Sequence, residues 1–242
     1  MLVRILFIML IFAMLPTALA EGNVFDTLRG LDIEISEDAE RGVQAGIDEM
    51  AREYEKYLGQ GFEFGRDSDI VEVLCLLGSG KYDPETDTIT PWTDSVYAFD
   101  VEMTWIEEGY ALLLDAVERM SGGSIDIEDV RVEIGEAALA QGWGQFPLKF
   151  TMNGEPCEFA LQLQTDWMDL HILDELNREL VKRDPEKKLW FTYDGGQGII
   201  LFYRDKAWVD RFQQAAGLEL ADVVYENPVE KLGSALWGLF GG

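Results

Sequence analysis

Histidine and cysteine are nearly absent from this 242-residue chain: His171 stands alone, and Cys75 and Cys157 are the only thiols. One histidine leaves no Cys/His spacing for a structural zinc, and it routes any Ser-His or Cys-His catalysis through His171. Two cysteines are too few for a disulfide framework. A single bridge closing so long a loop would contribute ~4 kcal/mol in an oxidising compartment, yet both thiols sit among apolar residues, where buried free cysteine is ordinary. Both states stay open at this level.

Positive charge is scarce as well, with 19 Lys and Arg against 46 Asp and Glu and a net charge of −27. Phosphate binding needs clustered Lys and Arg, so a nucleic-acid partner is excluded and anionic membrane surfaces are disfavoured. The field of such a chain attracts cationic proteins, peptides or metal ions, and the same charge keeps a secreted protein soluble. Disorder is excluded in turn, because 48% hydrophobic and 12% aromatic residues supply ample surface to bury.

Long apolar runs are missing except at the start. Arg4 precedes an unbroken apolar stretch over residues 5–15, followed by Thr17, Ala18, Leu19 and Ala20. This order of charge, short apolar core and Ala-x-Ala is that of a secretory signal peptide cut after Ala20. A retained anchor is the alternative, but spanning takes ~20 apolar residues and Pro16 interrupts the run. The expected address is therefore secreted or extracytoplasmic, in the cell envelope.

Periodicity then divides the chain. Ser36 caps a helix whose stripe is Val43, Ile47, Met50, Tyr54 and Leu58, ended by Gly59 and Gly61. A shorter, almost wholly apolar helix runs from residue 68 or 69 to 77, and a turn-rich stretch over residues 82–93 marks a boundary. Tyr97, Phe99, Val101 and Met103 alternate as a strand does, and Thr104 with Glu107 forms a capping box for a helix closed by Gly122 and Gly123. Asn153-Gly154 predicts a hairpin pairing Phe150 with Cys157, Leu148 with Phe159 and Phe146 with Leu161. Gly195-Gly196, read as a two-residue turn, predicts a second hairpin that pairs Phe191 with Ile200 and Leu189 with Phe202. Its strands are apolar on both sides, which predicts a place covered on both faces. Helices are expected over residues 169–182 and 206–216, and a strand over residues 218–225.

Adjacent hairpins mean antiparallel pairing, so the expected class is α+β. The organisation read from these signals is a signal peptide over residues 1–20, a mainly helical region over 21–92 and an α+β domain with an apolar tail over 93–242. In that tail Val229, Leu232, Leu236, Leu239 and Phe240 share one side near Trp237. Trp237 and Phe240 are candidate binding residues. Membrane association through the tail is disfavoured, since a membrane-surface helix normally carries a basic face.

Chemistry-bearing candidates are few. Asp83, Glu85, Asp87 and Asp94 stand at positions one, three, five and twelve of a calcium loop, although Thr88 occupies the sixth position, where glycine is needed. A polar turn accounts for the same residues, and calcium is the one cofactor the sequence suggests. His171 precedes Asp174 by one helical turn, so imidazole and carboxylate can meet, with Ser79, Ser124 or Cys157 as nucleophiles from elsewhere. No serine lies in a Gly-x-Ser-x-Gly elbow. Glu107 and Glu108, or Asp126, Glu128 and Asp129, are carboxylates of the kind a glycosidase uses, provided two stand ~5–9 Å apart. Residues 194–198, Asp-Gly-Gly-Gln-Gly, resemble a phosphate loop but join strand to strand, so their glycines serve a turn. Trp143, between Gly142 and Gly144 on a connection between strands, would anchor a partner or stack on a sugar if exposed, though a side chain so large more often folds back over the core. The resulting expectation is an extracytoplasmic acidic binding protein without a catalytic site, inhibitor- or immunity-like, engaging a cationic protein or peptide. The alternative is a carboxylate-dependent extracellular hydrolase, with or without calcium.

Overall fold

The computed structural model describes residues 23–58, 70–83, 85–86, 88–103 and 105–224, without the side chains of Tyr54, Tyr57 and Leu58. The signal segment, Gly59 and Gly61, Ser68 and Asp69, Asp87, Thr104, Tyr225 and the tail with Trp237 and Phe240 lie outside the described residues.

Helix α1 (Val24–Gly30), which no sequence signal had announced, begins where the Asn23 side chain accepts a bond from the Phe25 N–H. Helix α2 (Glu37–Leu58) starts at Ser36, whose hydroxyl oxygen accepts from the Ala39 N–H at 3.1 Å, as a capping serine should. It buries Val43 and Ile47. Helix α3 (Ile70–Ser79) keeps almost no polar face and is accordingly sunk in the core. The turn-rich stretch that follows is a small hairpin, β1 (Lys81–Asp83) with β2 (Thr88–Thr90), whose central pair Tyr82 and Ile89 is exposed.

Strand β3 (Tyr97–Asp100) is shorter than its alternation suggested, because Asp100 turns the chain by accepting the Glu102 N–H. Helix α4 (Ile106–Met120) follows. Trp105 stands at its N-cap without a side-chain bond, and the expected capping box rests on Thr104, outside the described residues. Strand β4 (Ile127–Val132) and the short α5 (Glu136–Gln141) lead into the hairpin of β5 (Trp143–Met152) and β6 (Glu155–Gln164). Here the observed register pairs Phe150 with Cys157, Leu148 with Phe159 and Phe146 with Leu161, as the Asn153-Gly154 turn requires. Both turn residues have positive φ.

Helix α6 (His171–Arg183) and the hairpin of β7 (Lys187–Tyr193) and β8 (Gly198–Asp205) come next, then α7 (Lys206–Ala216). The predicted register of this hairpin is off by one. Phe191 pairs with Leu201 and Trp190 with Phe202, because residues 195–197 form a three-residue turn closed by the Asp194 N–H bonding the Gly198 carbonyl. Instead of a strand over residues 218–225 there is one bridge, in which Phe191 and Ala221 exchange backbone bonds of 2.8 Å.

Two three-stranded antiparallel sheets result, ordered β3-β8-β7 and β4-β5-β6, and the class is α+β. Alternation along β8 sends Ile199, Leu201 and Tyr203 to one core, shared with α4, α6 and the inner face of β5 and β6. Ile200 and Phe202 go to a second core, with α1, α2, α3 and α7. The sheet containing β8 is thus buried on both faces, whereas β4-β5-β6 buries one. Among the described residues no helix is long and apolar enough to cross a membrane.

Candidate functional site

The chain folds back on itself just beyond β6, and this fold-back gathers the residues that matter. Gln164 bridges Trp167, and Trp167 bridges Glu102 on the segment leading to α4. Thr165 donates its N–H to the Gly142 carbonyl at 2.7 Å, and the next residue, Asp166, accepts from the Met103 N–H through its carbonyl. Gly142 precedes Trp143, and Met103 lies two residues before Trp105. The backbone beside each tryptophan is therefore tied to one of two neighbouring residues of a single turn, and this turn defines the tryptophan end.

Local sequence sets each of them. Trp143 opens β5 between two glycines: Gly142 ends α5 at φ 70, and a Cβ on Gly144 would come within 2.8 Å of Ala138. Trp105 follows a segment packed closely on α4, since a Cβ on Gly109 would sit 2.0 Å from the Met103 sulfur. The outcome is exposure of 74% for Trp105 and 61% for Trp143. Trp143 does not fold back over the core, which corrects that expectation, and it belongs to a strand rather than a connection. By contrast, Trp190 and Trp208 are buried and donate their indole N–H groups to the carbonyls of Arg204 and Leu31. Among the described residues neither exposed indole N–H has a partner.

The surroundings are of one sign. No Lys or Arg occurs between Lys81 and Arg119, between Arg131 and Lys149, or between Lys149 and Arg178. Every segment that forms this end falls inside those gaps. Glu107, Glu108 and Glu136 are exposed there and make no ion pair with the described residues.

His171 borders the same end, but its carboxylate partner differs from the expected one. Its Nδ1 lies 3.0 Å from Oδ1 of Asp169, while Asp174 accepts the Val224 N–H instead. Asp169 is buried, and its other oxygen accepts from the Gln162 N–H at 2.8 Å. The Asp169 N–H in turn meets the hydroxyl of Tyr110, whose pKa burial raises. This orients the imidazole, yet none of the three proposed nucleophiles bonds it. Ser79 and Ser124 donate to the carbonyls of Leu76 and Ser121 at their own helix ends. Cys157 is buried in the inner face of β6, and its thiol is pushed up by burial and then by Glu179, away from the thiolate. Cys75 and Cys157 are not joined to each other by a disulfide.

Of the calcium-loop residues, Asp87 lies outside the described residues, and Asp83 and Asp94 have partners of their own. Asp83 accepts the Glu85 N–H at 2.9 Å, the main cause of its lowered pKa, while Asp94 pairs with Arg119 at 2.9 Å. Among the described residues no group of three or more His, Cys, Asp or Glu side chains is placed to hold a metal. Glu107 and Glu108 open α4, whereas Asp126, Glu128 and Asp129 follow its end. A 15-residue helix spans roughly 20 Å, too far for one acid–base pair drawn from both groups. Asp194 works within its turn, accepting from the N–H groups of Gly196 and Gly198.

A cleft of about 400 Å³ opens elsewhere, lined by Asp174, Asn177, Arg178, Val181, Lys188, Asp222 and Val223. Its polar groups are engaged in structure: Lys188 pairs with Asp222, and Asn177 bonds both the Leu189 backbone and the Asp222 carbonyl. The tryptophan end was only half visible beforehand, because Trp105 read as the interior of a capping box. The gap in basic residues around it is a sequence signal that could have marked it. Compared with protein-family models, curated proteins and solved structures, the chain matches none of them.

Proposed function

We propose that this chain is exported and works by binding, its acidic surface holding a cationic protein or peptide in an inhibitor- or immunity-like role. The observation that carries the reading is the pair Trp105 and Trp143, both exposed, on segments that carry carboxylates and no Lys or Arg. Aromatic anchors dominate recognition energies. Complementary charge would speed encounter with a basic partner and reject an acidic one.

The test is a titration of the chain lacking residues 1–20 with size-matched cationic and anionic peptides at low and at physiological salt. Cationic peptides are expected to bind, with affinity falling as salt rises. Binding that ignores charge would end the reading, and hydrolysis of a polysaccharide or ester lost in Glu107→Gln would replace it with the hydrolase.

A further inference from the structure

We infer that the group this end receives is a guanidinium, so that the partner is an arginine-bearing segment rather than a cationic surface in general. This rests on the binding reading above and narrows it. An indole face attracts a cation through its quadrupole, and a flat guanidinium stacks on it while keeping its rim of N–H donors free. A lysine ammonium is a compact, strongly hydrated point charge and offers no plane to stack.

Three features of the tryptophan end match the first group better than the second. Exposed indoles supply faces, and Trp105 and Trp143 are the two largest such surfaces among the described residues. Glu107 and Glu108 follow Trp105 by two and three residues in the first turn of α4, and Glu136 opens the helix before Trp143; all three are without an ion pair among the described residues. These are acceptors for the fork of donors that a stacked guanidinium keeps in its own plane. The third feature is the absence of any competitor, since no Lys or Arg of this chain lies in the segments that build the end.

The same chain sets both kinds of cation over its indoles, Lys206 at 5.8 Å from the Trp190 ring and an arginine closer. Arg204 lies over the ring of Trp208 at 5.2 Å, with its Nη1 donating to the Tyr203 carbonyl at 3.2 Å. Burial lowers its pKa, and Asp32 acts against that. At the tryptophan end the acceptors are carboxylates instead of carbonyls, so the pairing is charge-assisted as well as stacked.

The experiment is a fluorescence titration of the mature chain with three peptides of equal length, rich in arginine, lysine or glutamine, under one salt condition. The arginine peptide is expected to quench tryptophan emission and to bind about tenfold tighter than the lysine peptide, a gap of about 1.4 kcal/mol. Trp105→Ala and Trp143→Ala should each erase that preference without moving the melting midpoint, and Glu107→Gln with Glu108→Gln should weaken the arginine peptide several-fold. Equal affinity for arginine and lysine peptides, or a preference that survives both tryptophan variants, overturns the inference while leaving a charge-driven binding protein intact. Failure of every cationic peptide removes the broader reading with it.

Discussion

The β5–β6 and β7–β8 hairpins look alike on paper, each bending at glycine and each rich in aromatic and aliphatic residues. Their situations differ. Outward positions of β5 and β6, such as Gln145, Glu158 and Ala160, remain at least partly in water, while Phe146, Leu148, Phe159 and Leu161 are buried. On β8 neither set is spared: Ile199, Ile200, Leu201, Phe202 and Tyr203 are all at most 1% exposed. One face in water makes a register slip expensive, because a shift by one residue would carry the whole apolar set outward. Where both faces are buried, a slip trades one apolar partner for another, and side-chain pattern no longer chooses.

The sharpest way to test that difference is to substitute one side chain in each hairpin. Phe202 packs against both Trp208 and Phe212, with ring centroids at 5.3 and 5.2 Å, inside the second core. Phe202→Ala is expected to cost ~3–5 kcal/mol in chemical denaturation, as large-to-small changes at fully buried aromatics do. Ala160→Ser on the outer face of β6 should stay within ~0.5 kcal/mol. Comparable losses at both positions would mean that the outer face of β4-β5-β6 is covered in solution.

The same contrast explains what could be read beforehand. The one-faced hairpin was legible because Asn153-Gly154 and its apolar alternation agree, and α7 was legible because Asp205 and Gly217 cap it. Nothing comparable announced α1, whose seven residues are too short for a stripe to show. The strand expected over residues 218–225 dissolved into one bridge, since the edge of β7 is also satisfied by a side chain: Asn177 accepts the Leu189 N–H and donates to its carbonyl. For the site, Trp143 drew notice through its flanking glycines. Trp105 depended on a fold-back that brings residues 164–169 beside 102–103, a long-range pairing that leaves no local trace, whereas the partner of His171 stands only two residues away, outside the three-residue spacing of a helix face.

A smaller difference lies in the tyrosines. Tyr97 on β3 pairs with Leu201 of β8, and burial pushes its pKa up to about 12, with Arg119 opposing. Tyr203 of β8 is buried with no hydrogen-bond partner for its hydroxyl among the described residues, and burial followed by Asp184 raises its pKa too. The β5–β6 hairpin contains no tyrosine. An unfolded tyrosine ionises near pH 10, so above that pH the unfolded chain releases protons that the native chain retains, and stability falls. The contribution from Tyr97 is complete below pH 10 and lost as pH rises through about 12, amounting to roughly 2–3 kcal/mol for a shift of that size. Urea midpoints measured from pH 8 to 12 should drop, and Tyr97→Phe should flatten the drop. An unchanged slope would show that Tyr97 ionises freely in the native state.

The smallest effect is expected at the turn that decides the uncertain register. Oδ1 of Asp194 accepts from the N–H groups of Gly196 at 2.7 Å and Gly198 at 2.9 Å, fixing the three-residue bend. Any side chain at position 198 would strike that carboxylate, since a Cβ there would lie 2.2 Å from Oδ2. Asp194→Ala removes both bonds but exposes the two donors to water rather than burying them, so the loss should be ~1–2 kcal/mol instead of a collapse. Its signature is specific: with pattern unable to choose between registers, weakening the turn should broaden backbone resonances along β7 and β8 and leave β5 and β6 sharp. If the resonances of both hairpins keep their widths, packing against the two cores selects the register unaided, and Asp194 merely closes a bend already determined by its neighbours.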